Sequence, residues 1–155
     1  MPLSIEDEIR QTKPFAQPSA RALVSLLRTA TVVEHEENEA LRPHGLTGTQ
    51  YNVLRILRGA GRRGLCGREV GERLIARVPD VSRLLDRMAE MDLISRVRDA
   101  ADRRHVTARI APKGRRLLAE TTPLLERLAR ARFDRLAPAA LARLVDALAV
   151  VRAPV

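Results

Sequence analysis

Arginine side chains are concentrated in the middle of this chain, and their chemistry suits a polyanionic partner. The 155 residues include 28 Lys and Arg against 19 Asp and Glu, which gives a net charge of +9. The planar guanidinium fork binds phosphates and guanine edges in a bidentate manner. The basic residues concentrate from Arg55 onward, whereas glutamates crowd residues 34–39. Aromatic residues make up only 2% of the chain, which disfavours base stacking on single strands or RNA and favours duplex DNA.

A short amphipathic helix, predicted to open near Pro79, presents part of this charge on its outer face. Its inward residues have the i, i+3, i+4, i+7 spacing of a buried helix face: Val81, Leu84, Leu85 and Met88. A second short helix, 67–74, precedes it, so the pair predicts a helix-turn-helix. In that motif the N-terminal residues of the second helix contact base edges. The predicted base readers are Arg77, Asp80, Ser82 and Arg83.

Arg83 and Arg87 lie one helical turn apart, and we expect them to act differently. Arg83 is placed to fork onto a guanine, a contact worth about 1–3 kcal/mol of discrimination. Arg87 is expected to reach a phosphate instead. The alternative is that these charges merely solvate an exposed helix face. The next segment weakens that alternative because it repeats the basic signal at Arg96, Arg98, Arg103, Arg104 and Arg109.

Hydrophobic periodicity predicts the elements that must position these residues. An N-terminal arm, 1–18, precedes a single domain, 19–155, whose DNA-binding lobe covers about 46–111. Thr47 and Gln50 form the ends of a capping box, and alternating residues in 93–98 and 105–110 predict a two-stranded ribbon. Helices at about 19–42 and 112–152 are predicted to form a dimerisation region, with Pro123 kinking or splitting the longer one. The fold class is therefore mainly α, a winged helix-turn-helix with a two-stranded β-wing.

Three segments between Leu46 and Leu118 resemble the multiple antibiotic resistance regulator (MarR) family of bacterial winged-helix proteins. They are the helix start LTGTQYNVL at 46–54, the motif helices EVGERL at 69–74 and VSRLLDRM at 81–88, and the wing RDAADRR at 98–104 followed by IAPKG at 110–114. The chain departs from the family where Arg77 stands at the expected serine cap of the recognition helix. It also has Ala100 where the wing commonly carries a proline.

The resemblance implies an obligate homodimer built from the first helix and the last two. It also implies that Arg103 or Arg104 enters the minor groove, supported by a salt bridge from Asp99 or Asp102. The family pattern favours Arg104, and a guanidinium suits the negative potential of a narrow groove.

A ligand-responsive repressor that binds a palindromic operator is the function implied by the resemblance. The effector would be a small molecule, unidentified from the sequence, lodged between the dimer base and the DNA-binding lobe. The alternatives are a winged-helix protein-interaction module and a non-specific architectural DNA binder. No cofactor is expected. The chain has no apolar run of membrane-spanning length and starts with a polar, acidic segment, so we expect no membrane partner and a cytoplasmic location.

Other chemistry-bearing residues have structural explanations that we favour. Cys66 stands at the cap position of the first motif helix, where capping or filling is favoured over redox sensing. His35, Glu36, Glu39 and His44 suggest zinc, but a solvated acidic helix face explains them better. The sequence shows no nucleophile–base pair and no glycine-rich phosphate loop, so no enzymatic activity is predicted.

Overall fold

The computed structural model describes residues 3–98 and 106–154, which form seven α-helices, two short 3-10 turns and three strands. The helices are α1 Ile5–Glu8, α2 Pro18–Leu41, α3 Gly48–Ala60, α4 Gly67–Arg73, α5 Val81–Glu90, α6 Pro112–Phe133 and α7 Pro138–Arg152. The strands are β1 Leu65–Cys66, β2 Ile94–Arg98 and β3 Val106–Ile110, and the 3-10 turns are Arg42–His44 and Gly61–Arg63. This mainly helical architecture confirms the predicted fold class.

The small sheet has three strands, although the sequence pattern predicted a two-stranded ribbon. Central β3 pairs antiparallel with β2, where Ile94 faces Ile110 and Arg98 faces Val106. On its other edge β3 pairs with β1, where Leu65 faces Ala108. Strand β1 has only two residues, too few for a period-two pattern to be recognised in the sequence.

The core of the predicted DNA-binding lobe forms where α3 and α5 pack against the sheet and the start of α6. Leu54, Leu57, Leu85, Leu93 and Leu118 are all buried. The predicted capping box of α3 is confirmed: Thr47 Oγ1 accepts the Gln50 N–H at 3.2 Å, and Gln50 Oε1 accepts the Thr47 N–H at 3.0 Å. The helix that supports the motif is therefore fixed by sequence-local bonds as well as by burial.

The N-terminal and C-terminal helices differ from the prediction in two details. The arm contains α1, which is tied to α2 by ion pairs Glu6–Arg21 (2.7 Å) and Glu8–Arg28 (3.4 Å). Pro123 does not split α6, which runs as one helix from Pro112 to Phe133. A proline removes one helix hydrogen bond, a loss that the packing of buried Thr121 and Leu125 on either side outweighs.

Helices α2, α6 and α7 leave apolar side chains on the surface of the single chain. Leu23 and Leu27 of α2 are 56% and 58% exposed, and Val145 of α7 is 56% exposed. Helix α7 contains no buried residue: Leu141, Leu144 and Leu148 are half-buried, and Val150 and Val151 are exposed like Val145. Leu125, which lies in the predicted dimerisation region, belongs to the core of its own chain. Within the described residues, no helix combines the length and hydropathy that crossing a membrane requires.

Candidate nucleic-acid interface

The turn between α4 and α5 is anchored to α3 by a buried amide. Asn52 is 9% exposed, and its Oδ1 accepts the backbone N–H of Ile75 at 3.0 Å. The two motif helices also pack closely, because a Cβ on Gly71 would lie 3.2 Å from Val81 Cγ2. An anchored turn and a tight helix pair hold α5 at a fixed angle to the rest of the lobe.

The recognition helix α5 begins at Val81, two residues later than the pattern predicted. Asp80 is its N-cap, with Oδ1 accepting the Arg83 N–H at 2.9 Å. The expectation that Arg77 occupies the cap position is therefore wrong. Aspartate is among the best N-cap residues because its carboxylate accepts a first-turn N–H that lacks a helical partner. Asp80 thus has a role within the protein, and its reading of a base edge stays a prediction.

The other residues of the motif that were predicted to contact DNA are exposed to solvent. Ser82, Arg83 and Arg87 are exposed on α5, and Arg77 is exposed in the turn before it. Within residues 3–98 and 106–154, none of these three arginines has a carboxylate within ion-pairing distance. Their guanidinium groups are available to an external anion.

The predicted wing residues fall partly outside the described residues. Arg98 is the last residue of β2, exposed and paired across the sheet with Val106. Asp99, Asp102, Arg103 and Arg104 lie in the segment 99–105, which is not described. The minor-groove arginine and its supporting aspartate therefore stay predictions.

Arg96 differs from Arg98 on the same strand because, among the described residues, it is engaged within the protein. Its guanidinium pairs with the carboxylate of Asp86 on α5, and Nη1 donates to the Ser82 carbonyl oxygen at 3.5 Å. The side chain is only 20% exposed. Sequence reasoning missed this link, although alternation along β2 was a usable signal: Arg96 lies two residues after buried Ile94, on the same face.

The start of α4 is ordered by a second set of polar contacts. Cys66 is the N-cap, as predicted, and its N–H donates to Glu69 Oε2 at 2.9 Å. Glu69 also pairs with Arg63 at 2.5 Å. The bond from the Cys66 N–H, helped by Arg63 and Arg73 nearby, holds the pKa of the Glu69 carboxyl below its usual range. This arrangement fits the capping explanation of Cys66.

Each of the three residues Glu36, Glu39 and His44, which suggested a zinc site, contacts a different charged side chain. Glu36 accepts from Arg132 Nε at 2.8 Å, a hydrogen bond that lowers the pKa of Glu36. Glu39 pairs with Arg42 at 2.9 Å, and His44 lies 3.6 Å from Glu120. No cluster of three or more His, Cys, Asp or Glu suited to a metal ion is found in the part of the chain that the structure describes. The pairings of Glu36, Glu39 and His44 fit a solvated, charged helix face.

Known proteins share this arrangement of motif helices, sheet and outer helices. The MarR family model matches residues 44–105. The HTH-type transcriptional regulator MhqR of Bacillus subtilis is 25% identical over 109 residues, which cover 70% of this chain and 74% of MhqR. Among solved structures, Sco3205, a MarR family transcriptional regulator from Streptomyces coelicolor in complex with DNA, is 25% identical with a TM-score of 0.75 and covers 91% of each chain. CouR from Rhodococcus jostii RHA1, bound to p-coumaroyl-CoA, is 25% identical with a TM-score of 0.74, covering 91% of this chain and 98% of CouR.

Fold, exposed recognition helix and relatives together define a class of protein. The chain is a DNA-binding transcription regulator of the winged helix-turn-helix type. Its match to the MarR family model over residues 44–105 confirms the resemblance seen in the sequence. The family and these relatives are transcription regulators rather than enzymes.

Proposed function

We propose that the chain is a ligand-responsive repressor that binds a palindromic operator as a homodimer. The observation that carries the DNA-binding part is the exposed face of α5, on which Arg83 and Arg87 have no ion-pair partner among the described residues. A helix of this size fits the major groove, and β2 leads directly to the predicted wing. Two such lobes related by a two-fold axis would read two half-sites about one helical turn apart.

Helix α7 supports the homodimer. An amphipathic helix normally buries its apolar face, yet no residue of α7 is buried in the single chain, and Val145, Val150 and Val151 are more than half exposed. The exposed leucines of α2 provide a second apolar surface of the same kind. A second copy of the chain would cover both surfaces, as the resemblance implies.

An effector site between α2 and α6 would have to form between subunits or by movement of helices. The cavity between α2 and α6, lined by Val33, Glu36, Leu128, Arg132 and Phe133 among others, has a volume of about 40 Å³. Small-molecule sites typically need about 300–1,000 Å³. A ligand that prefers one spacing of the two recognition helices would change operator affinity by its differential binding.

Selection of bound sequences from a random duplex library tests the proposal and its two alternatives. A sequence-specific dimer enriches a palindrome. An architectural binder retains all duplexes equally. A protein-interaction module shows no salt-dependent binding to any duplex. The effect of the purified protein on transcription from a promoter that carries the palindrome then distinguishes repression from activation.

Arg83→Ala and Arg87→Ala should weaken DNA binding in different ways. Arg83 lies in the first turn of α5, close to the capped end that enters the groove, so its loss should cost about 1–3 kcal/mol at one base position and relax preference there. Arg87→Ala should weaken operator and random duplex alike and reduce the salt slope by about one. Fluorescence anisotropy on both duplexes across a salt series measures this. Equal losses on the two duplexes for Arg83→Ala would contradict its role as a reader.

Arg104→Ala should remove an electrostatic anchor contributed by the wing. The log–log salt slope of operator binding should flatten by about one unit, with the melting temperature unchanged. Asp102→Ala should weaken binding too if its carboxylate orients that arginine. An unchanged slope together with a lowered melting temperature would assign both residues to closing the turn.

A further inference from the structure

We propose that Arg96 is a positioning residue for DNA binding, which locks the wing to the recognition helix through Asp86. This inference rests on the proposed function, because it concerns how two parts of one DNA-binding surface are held together. Arg96 would contact no DNA itself. It would set the distance between the major-groove helix and the minor-groove wing.

The geometry joins the centre of one element to the centre of the other. Arg96 is the middle residue of β2 and faces Ala108 of β3. Asp86 lies in the middle of α5, one turn after Ser82, so both are on the same side of the helix. The guanidinium bridges them, pairing with the Asp86 carboxylate and donating to the Ser82 carbonyl oxygen.

The Arg96–Asp86 ion pair is not an efficient way to stabilise the fold. Arg96 Nε is buried and has no hydrogen-bond partner among residues 3–98 and 106–154. A buried donor without a partner carries a desolvation penalty, and an apolar side chain of similar volume often stabilises such a position as well or better. A charged pair is directional, however, so it fixes the relative position of strand and helix where an apolar contact would tolerate sliding.

The positions of these residues explain why such a link would matter for binding. Arg98, two residues after Arg96, ends the described part of β2 and leads into the wing segment 99–105. Arg83 and Arg87 flank Asp86 on α5. Because both parts must engage one duplex at once, any freedom between them is lost on binding and lowers affinity.

Substitution of Asp86 tests the proposal, because the proposal and simple electrostatics predict opposite changes in DNA affinity. Its side chain is 57% exposed on the helix that faces DNA. If Asp86 only contributed charge, Asp86→Asn would remove a negative charge from a surface that binds a polyanion and would strengthen binding. If Asp86 holds Arg96 in place, the same substitution weakens binding to the operator.

The experiment measures affinity for the selected operator and for random duplex by fluorescence anisotropy. Asp86→Asn is expected to bind the operator about five- to tenfold more weakly, a typical coupling for contacting residues, with a smaller change on random duplex. Glu90→Gln, which neutralises an exposed carboxylate at the end of the same helix, is the matched control and should leave binding unchanged or stronger. Thermal melting of each variant checks that the fold is intact.

Arg96→Lys separates positioning from direct contact. Lysine keeps the charge but not the fork, so a positioning role predicts a loss of operator affinity similar to that of Asp86→Asn. Retained affinity for Arg96→Lys, or tighter binding for Asp86→Asn, would overturn the proposal. Failure of the wild-type chain to select any operator would instead overturn the proposed function, so the two failures are distinguishable.

Discussion

Gly114→Ala should destabilise the protein by about 3 kcal/mol or more, at the upper end of overpacking substitutions. Gly114 lies in the first turn of α6, where a Cβ would overlap the carbonyl oxygen of Leu93 and lie 2.9 Å from Leu54 Cδ2. The Leu93 carbonyl cannot easily move aside, because it accepts the Ala111 N–H at 3.0 Å. Leu54 and Leu93 are fully buried, so relief of the overlap would disturb the core. Urea or thermal unfolding followed by circular dichroism measures the effect.

Gly59→Ala is the matched control for that substitution and should have the opposite sign. Gly59 lies in α3, and among the described residues no atom outside the adjacent helix backbone lies within 4 Å of the position that its Cβ would occupy. Alanine lowers the backbone entropy of the unfolded chain and favours a helix, so a gain of about 0.5–1 kcal/mol is expected. Equal stability of the two variants would show that α6 can shift away from Leu93 without cost.

Leu27→Glu should convert the proposed dimer into monomers and reduce operator affinity by about 10²- to 10⁴-fold. Leu27 is 58% exposed in the single chain, so a charge there costs little within one subunit but would be buried unpaired between two. Loss of the dimer removes the effective concentration that joins two half-site contacts, which accounts for the size of the affinity loss. Analytical ultracentrifugation at micromolar concentration reports the mass, against 17.2 kDa for one chain.

Thr29→Glu introduces the same charge on α2 at an exposed position that is not part of the leucine stripe. It should leave both the mass and the affinity close to those of the wild type. A Leu27→Glu variant that sediments as the wild type does would remove this face of α2 from the interface. Circular dichroism of both variants distinguishes dissociation from unfolding, which can accompany it when subunits depend on each other for stability.

The order of the elements and the type of DNA-binding motif could be predicted from the amino-acid sequence. Its signals were local: the capping box at Thr47 and Gln50, the inward spacing of Val81, Leu84, Leu85 and Met88, and the alternation in 93–98. Such patterns depend on contacts between residues a few positions apart, so they are visible in one dimension. The predicted start of α5 lay two residues before the observed one. Pro79 and Asp80 both favour helix starts, and the position of the cap depends on which of them adopts extended backbone geometry.

Which arginines pair within the protein, and which remain free to contact DNA, depends on the packing of the folded chain. Arg96 and Arg98 are both arginines on the same face of β2. Among the described residues, however, Asp86 forms an ion pair with Arg96 and not with Arg98. The third strand, the approach of Gly114 to Leu93 and the anchoring of Ile75 by Asn52 join residues that are about 21 to 43 positions apart in the sequence. No local pattern encodes such contacts, because they exist only after α3, α5 and the sheet have packed around a common core.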